Sequence, residues 1–67
     1  MKEAMRALRV HAGLSQLDVA CALGVQQSTV AMWESGENMP RAALLPQIAK
    51  LYGCMIDDLY GDEAKEG

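Results

Sequence analysis

Phenylalanine is absent from this 67-residue chain, and one tryptophan and two tyrosines are its only aromatics. Valine, isoleucine and threonine are also sparse, so the alternating runs that mark β-strands do not occur. No apolar stretch approaches the ~20 residues that a membrane-spanning helix needs. No secretory leader is evident, because Met1-Lys2-Glu3-Ala4 carries charge and runs straight into an amphipathic pattern. Cysteine is limited to Cys21 and Cys54, expected as free thiols in a reducing cytoplasm. Those two lie too far apart for a zinc motif, even with His11 added, so no metal site is expected. For catalysis, Ser15 with His11 and Asp18 is the one conceivable triad, and Ser15 has a better use as a helix cap; no enzyme is expected. A chain this short buries only ~60% of its unfolded surface, which leaves room for one economical core.

Positive charge is scarce as well: six Lys and Arg face nine Asp and Glu, for a net charge of -3. The deficit is uneven. Residues 1–60 hold five basic and six acidic side chains, and the short polar tail supplies the rest of the excess. The tail, residues 61–67, is expected to be acidic and flexible. Nucleic-acid binders are usually basic. Any affinity for DNA must therefore come from where charge is placed and not from how much there is.

Alanine, leucine and methionine dominate what remains, and they suit helices. The spacing predicts a first helix from Lys2 to Ala12, with Met5, Leu8 and Ala12 turned inward and Gly13 ending it. Ser15 and Asp18 form a capping-box pattern, so a second helix should start there and run to Leu23, burying Val19, Ala20 and Leu23. Gly24 breaks it. A third helix is expected over Gln27 to Ser35 with Val30 and Trp33 inside, although Gln26 is a poor N-cap. A fourth covers Ala42 to Tyr52, burying Leu45, Ile48, Ala49 and Tyr52, with Pro46 costing an early hydrogen bond. A short fifth, Ile56 to Tyr60, closes the core through Ile56 and Leu59. The fold class is all-α, a compact bundle of five short helices.

The informative stretch is Gln16 to Glu34. Two helices joined by a very short turn need a small residue where they meet, and Ala20 supplies it. The turn needs a positive backbone angle, which Gly24 adopts without a steric penalty. Val30 then fills the angle between the two helices. That is the helix-turn-helix arrangement, although an ordinary helical hairpin would also accept these three residues.

Further residues narrow the choice: Gly13-Leu14-Ser15-Gln16, Val19-Ala20, Leu23-Gly24-Val25, Ser28-Thr29-Val30, Trp33-Glu34, Gly36, Pro40, Ile48-Ala49 and Asp57-Asp58-Leu59. Together they resemble the Cro/CI (XRE-like) helix-turn-helix family of transcriptional regulators over about residues 5–60. The resemblance implies a DNA-binding domain over residues 1–60 that docks its third helix into the major groove of operator DNA as a homodimer. Gln27, Ser28 and Met32 then become the base-reading candidates; glutamine can pair with both N6 and N7 of adenine. Gln16, Thr29, Ser35, Asn38, Arg41 and Arg9 become candidate phosphate contacts, with Arg9 also bridging Glu34. The family usually carries Lys or Arg just after the third helix, but here Ser35-Gly36-Glu37-Asn38 holds none, which should weaken binding.

No cofactor, small-molecule ligand or membrane contact is implied, and the expected location is the cytoplasm. Leu17 and Cys21, one turn apart on the second helix, are a candidate partner surface, and Met55 and Tyr60 a candidate dimer surface. The alternative function is a protein-interaction module on the same fold, antitoxin-like or anti-repressor, with weak DNA binding.

Overall fold

The computed structural model describes residues 1–61; the expected acidic tail beyond Gly61 lies outside the described residues. Five α-helices follow one another: α1 (Lys2–His11), α2 (Gln16–Leu23), α3 (Gln27–Ser35), α4 (Leu45–Tyr52) and α5 (Ile56–Tyr60). No strand occurs among the described residues. α1 packs on α3, α4 and α5, while α2 packs on α3 and α4, so the α2–α3 pair is braced from behind by α1 and α4, and α5 packs on those two.

One core holds the helices together. Met5, Val19, Ala20, Val30, Trp33, Leu45, Ile48, Ala49, Tyr52 and Leu59 are its buried members. Met5, Ile48, Leu59, Val19 and Val30 are the largest side chains withdrawn fully from solvent. Each contributes about 1.5–3 kcal/mol by leaving water. Because they come from all five helices, no helix is dispensable to the core.

Three expectations need correction. Ala12 is exposed and serves as the C-cap of α1, because the helix stops at His11 and Gly13 turns the chain with φ +77°. Ile56 is 37% exposed, since it is the first residue of a five-residue helix and overhangs the core that Leu59 fills. The stretch from Ala42 to Tyr52 is not one α-helix but a 3-10 turn over Ala42–Leu44 followed by α4. Pro46 explains the split: its ring would clash with the Ala42 carbonyl in an α-helix and it has no N–H to donate. The chain therefore winds tightly first, with the Leu45 amide bonded to the Ala42 carbonyl. Pro46 then occupies the first turn of α4, where a missing donor is tolerated.

Tyr52 closes the last turn of α4 with its ring in the core and its hydroxyl buried. That hydroxyl has no hydrogen-bond partner among the described residues. Burial pushes its pKa up to about 12, and the nearby Glu34 carboxylate adds to the rise. An unfolded tyrosine titrates near ~10. The folded value is the higher one, so Tyr52 gives stability that is complete below pH ~10 and fades as pH climbs toward 12. Tyr52→Phe should therefore be as stable as the natural chain or slightly more so at neutral pH, because an unpaired buried hydroxyl is removed. At pH ~11 the variant should have lost less of its neutral-pH stability than the natural chain. Urea unfolding at both pH values checks this, and an equal alkaline loss in the two proteins would refute it.

Candidate nucleic-acid interface

The interface is built around the α2–α3 pair. Ser15 opens α2 as its N-cap: its Oγ accepts the Asp18 amide at 3.0 Å, and its own amide donates to Asp18 Oδ2 at 2.9 Å. The expected capping box is therefore present. The bond from the Ser15 amide, reinforced by the Ser15 hydroxyl, holds the Asp18 carboxyl below the usual carboxylate range. Gly24 ends α2 at φ +71°, and nothing crowds the space where a Cβ would sit, so only the backbone angle calls for glycine. Ala20 (2% exposed) lets the helices approach, and Val30 fills the corner between them.

Where α1, α2 and α3 converge, the Arg9 guanidinium meets the Glu34 carboxylate. Arg9 Nε donates to Glu34 Oε2 at 2.6 Å and Nη2 donates to Oε1 at 3.1 Å, which makes the pair bidentate. Arg9 Nη1 donates to the Leu14 carbonyl at 2.7 Å, and Gln16 Nε2 donates to Glu34 Oε1 at 3.2 Å. The two charged side chains retain only 11% and 5% of their exposure. The hydrogen bond to Glu34 raises the Arg9 pKa further, outweighing the opposing effect of burial. A carboxylate in the last turn of α3 faces the negative end of that helix's dipole, so Glu34 depends on the arginine. Arg9 thus forms the expected bridge, with three of its five N–H donors committed inside the protein. Gln16 braces α3 through Glu34.

At the opposite end of α3, Gln27 and Ser28 are exposed. Thr29 is half-buried beside them, and Gln26 accepts weakly from Ser28 Oγ at 3.4 Å instead of capping the helix. Met32 is half-buried and has a role that spacing did not reveal. Its carbonyl accepts the amides of Gly36, Glu37 and Asn38, and also the Ser35 hydroxyl. Its sulfur accepts Asn38 Nδ2 at 3.2 Å. The loop after α3 is thereby folded back on one residue. Ser35, Asn38 and Arg41 are exposed along it. These contacts join positions three to six apart through carbonyl and sulfur acceptors, which leave no mark in hydrophobic periodicity.

The residues considered for other chemistry stay apart. Ser15 and Asp18 are engaged with each other, and His11 bonds to neither. Burial pushes the Cys54 thiol up, the opposite of what a nucleophile or a thiolate ligand needs. No group of three or more metal-ligating side chains forms among the described residues. No helix among them is long and apolar enough to cross a membrane.

The ion pair also yields a measurable expectation. Glu34→Gln keeps the shape but leaves a sequestered guanidinium without its counter-charge, so stability should fall by about 2–4 kcal/mol, near the range for breaking a buried pair. An exposed pair would lose ~0–1 kcal/mol. Urea denaturation distinguishes the two, and a loss below ~1 kcal/mol would mean that Arg9 and Glu34 are only a surface pair.

Comparison with known proteins agrees with this geometry. A helix-turn-helix family model matches residues 5–59. The chain is 36% identical over 58 residues to the cryptic phage CTXphi transcriptional repressor RstR of Vibrio cholerae, covering 87% of this chain and 52% of that protein. It spans about half the length of that relative. It is 35% identical over 60 residues to an uncharacterised HTH-type transcriptional regulator of Methanocaldococcus jannaschii, covering 90% of this chain and 91% of the relative. A similar regulator of Archaeoglobus fulgidus is 30% identical over 60 residues, with 90% and 86% covered. No solved structure gives a significant match. With α2 and α3 joined through Gly24 and locked by Arg9, Gln16 and Glu34, the chain belongs to the helix-turn-helix family of Cro/CI-type, DNA-binding transcriptional regulators.

Proposed function

We propose that the chain is a cytoplasmic, sequence-specific repressor that reads the major groove through α3. The observation that carries this reading is the asymmetry of α3. Its C-terminal end is locked by Glu34 to two other helices, while its N-terminal end holds Gln27 and Ser28 out to solvent. A rigid mount behind an exposed polar end is what base readout needs. Gln27 reads adenine through its amide, and Ser28 and Met32 contact the neighbouring bases. Gln16, Thr29, Ser35, Asn38 and Arg41 contact phosphates, and they fix the docking register without carrying sequence information. Arg9 retains two N–H donors with which to reach a phosphate in addition to its bridge. The names of the relatives, repressor or regulator in each case, support this reading over the protein-interaction module.

The protein acts as a homodimer on DNA, with two α3 helices set about one helical turn, ~34 Å, apart. Support comes from the corner between α4 and α5, where Met55 (69% exposed) and Ile56 border a shallow groove with Pro46, Ala49 and Cys54. Apolar side chains gathered at one corner suit a symmetric contact better than a solvated face.

Two experiments test these statements. Selection of bound duplexes from a random library at low salt should enrich a half-site or palindromic motif. Gln27→Ala should lose preference at one or two positions, worth about 1–3 kcal/mol each. Unchanged preference in the variant would remove Gln27 from base reading, and no enrichment at all would remove groove reading. Separately, Met55→Asp should weaken cooperative occupancy of a two-half-site duplex while leaving single half-site binding intact, as read by gel shift. Equal effects on both duplexes would place the dimer contact elsewhere.

A further inference from the structure

The loop after α3 holds Glu37 and Asn38 at its tip and no cation before Arg41 at its far end. Space supplies what the local sequence does not. Lys2, in the first turn of α1, lays its aliphatic stem across Gly36. A Cβ added to Gly36 would come within 2.9 Å of Lys2 Cδ and 3.8 Å of Cε. The missing Cβ lets the stem lie directly over the backbone, and the φ of +86° is what calls for glycine there. Lys2 also shares a cleft of about 310 Å³ with Trp33, Ser35, Gly36 and Asn38. Ser35 and Asn38 are two of the candidate phosphate contacts. Lys2 is exposed and has no ion-pair partner among the described residues; the Arg9–Glu34 bridge is separate from it.

We propose that Lys2 is a DNA-phosphate contact, acting from α1 as the missing cation of the α3–α4 loop. Its stem is seated on Gly36, and it lines the cleft together with Ser35 and Asn38. A lysine held along an apolar stem with its charge left in solvent loses little hydration until a phosphate arrives. A phosphate at this cleft would meet the Lys2 charge and the Asn38 amide, which keeps one N–H after its bond to the Met32 sulfur. The contact is with the backbone, so it adds affinity and register but no base preference. The proposal rests on the DNA-binding reading above.

The test is the salt dependence of binding to two probes, the duplex enriched by selection and a short mixed-sequence duplex. Each neutralised phosphate steepens the slope of log K against log salt by ~0.9. Lys2→Gln should flatten that slope by about 0.9 for each subunit engaged, on both probes. Its affinity deficit should accordingly narrow about threefold per subunit between ~50 and ~200 mM salt. Lys2→Arg should keep the slope, and so should Arg6→Gln, which alters an exposed arginine on α1 outside this cleft. Circular dichroism confirms that each variant is folded. If Lys2→Gln leaves the slope unchanged while Gln27→Ala still alters base preference, the Lys2 proposal is overturned and the DNA reading stands. If the natural chain binds neither probe at low salt, both fall together.

Discussion

The bidentate pair between Arg9 and Glu34 is the constraint on which the rest of this fold depends. A core of five small helices sets distances between them, but apolar contact is non-directional and tolerates rotation. The guanidinium fork is not tolerant in that way. With Arg9 bonded to Glu34 on α3 and to the Leu14 carbonyl just before α2, and Gln16 bonded to the same carboxylate, three elements share one set of fixed angles. The orientation of α3 relative to α2, which defines the helix-turn-helix unit, is thus specified by polar geometry laid over an apolar core.

Much of this was legible in the residues. Ser15 and Asp18 announce a helix start through a local, three-residue exchange of hydrogen bonds, and the bonds are there. Gly24 announces a turn through its backbone angle. The Arg9–Glu34 bridge spans 25 positions and was visible only through resemblance to a family, since nothing in the spacing of two charges shows that they meet. The misses are equally physical. Ala12 and Ile56 have the right period for a core position but sit at helix ends, where periodicity continues after the core has stopped. Pro46 was expected to cost a hydrogen bond. The chain instead changed helix type ahead of it, a choice that depends on the carbonyl at Ala42 and not on propensity.

Charge was where composition gave the least guidance. A net charge of -3 argues against a nucleic-acid partner when it is counted over the whole chain. Counted by position, one arginine is consumed inside the fold, and Lys2 reaches a loop 34 residues away along the chain across Gly36. Met32 shapes that same loop from within, holding three successive amides on one carbonyl so that its polar side chains are presented together. Placement decides the electrostatics, and placement is a property of the fold.

The lack of a side-chain cap on α3 has a consequence for motion. Gln26 offers its carbonyl to the amides of Thr29 and Val30, but its side chain caps nothing, and the amides of Gln27 and Ser28 have no partner among the described residues. The far end of the same helix is tied down through Glu34. Local opening in such a helix is graded, so amide exchange should be fast over its first turn and slow over its last. Compliance should then be greatest in the first turn, where Gln27 and Ser28 can rearrange without any change in how the helix is mounted.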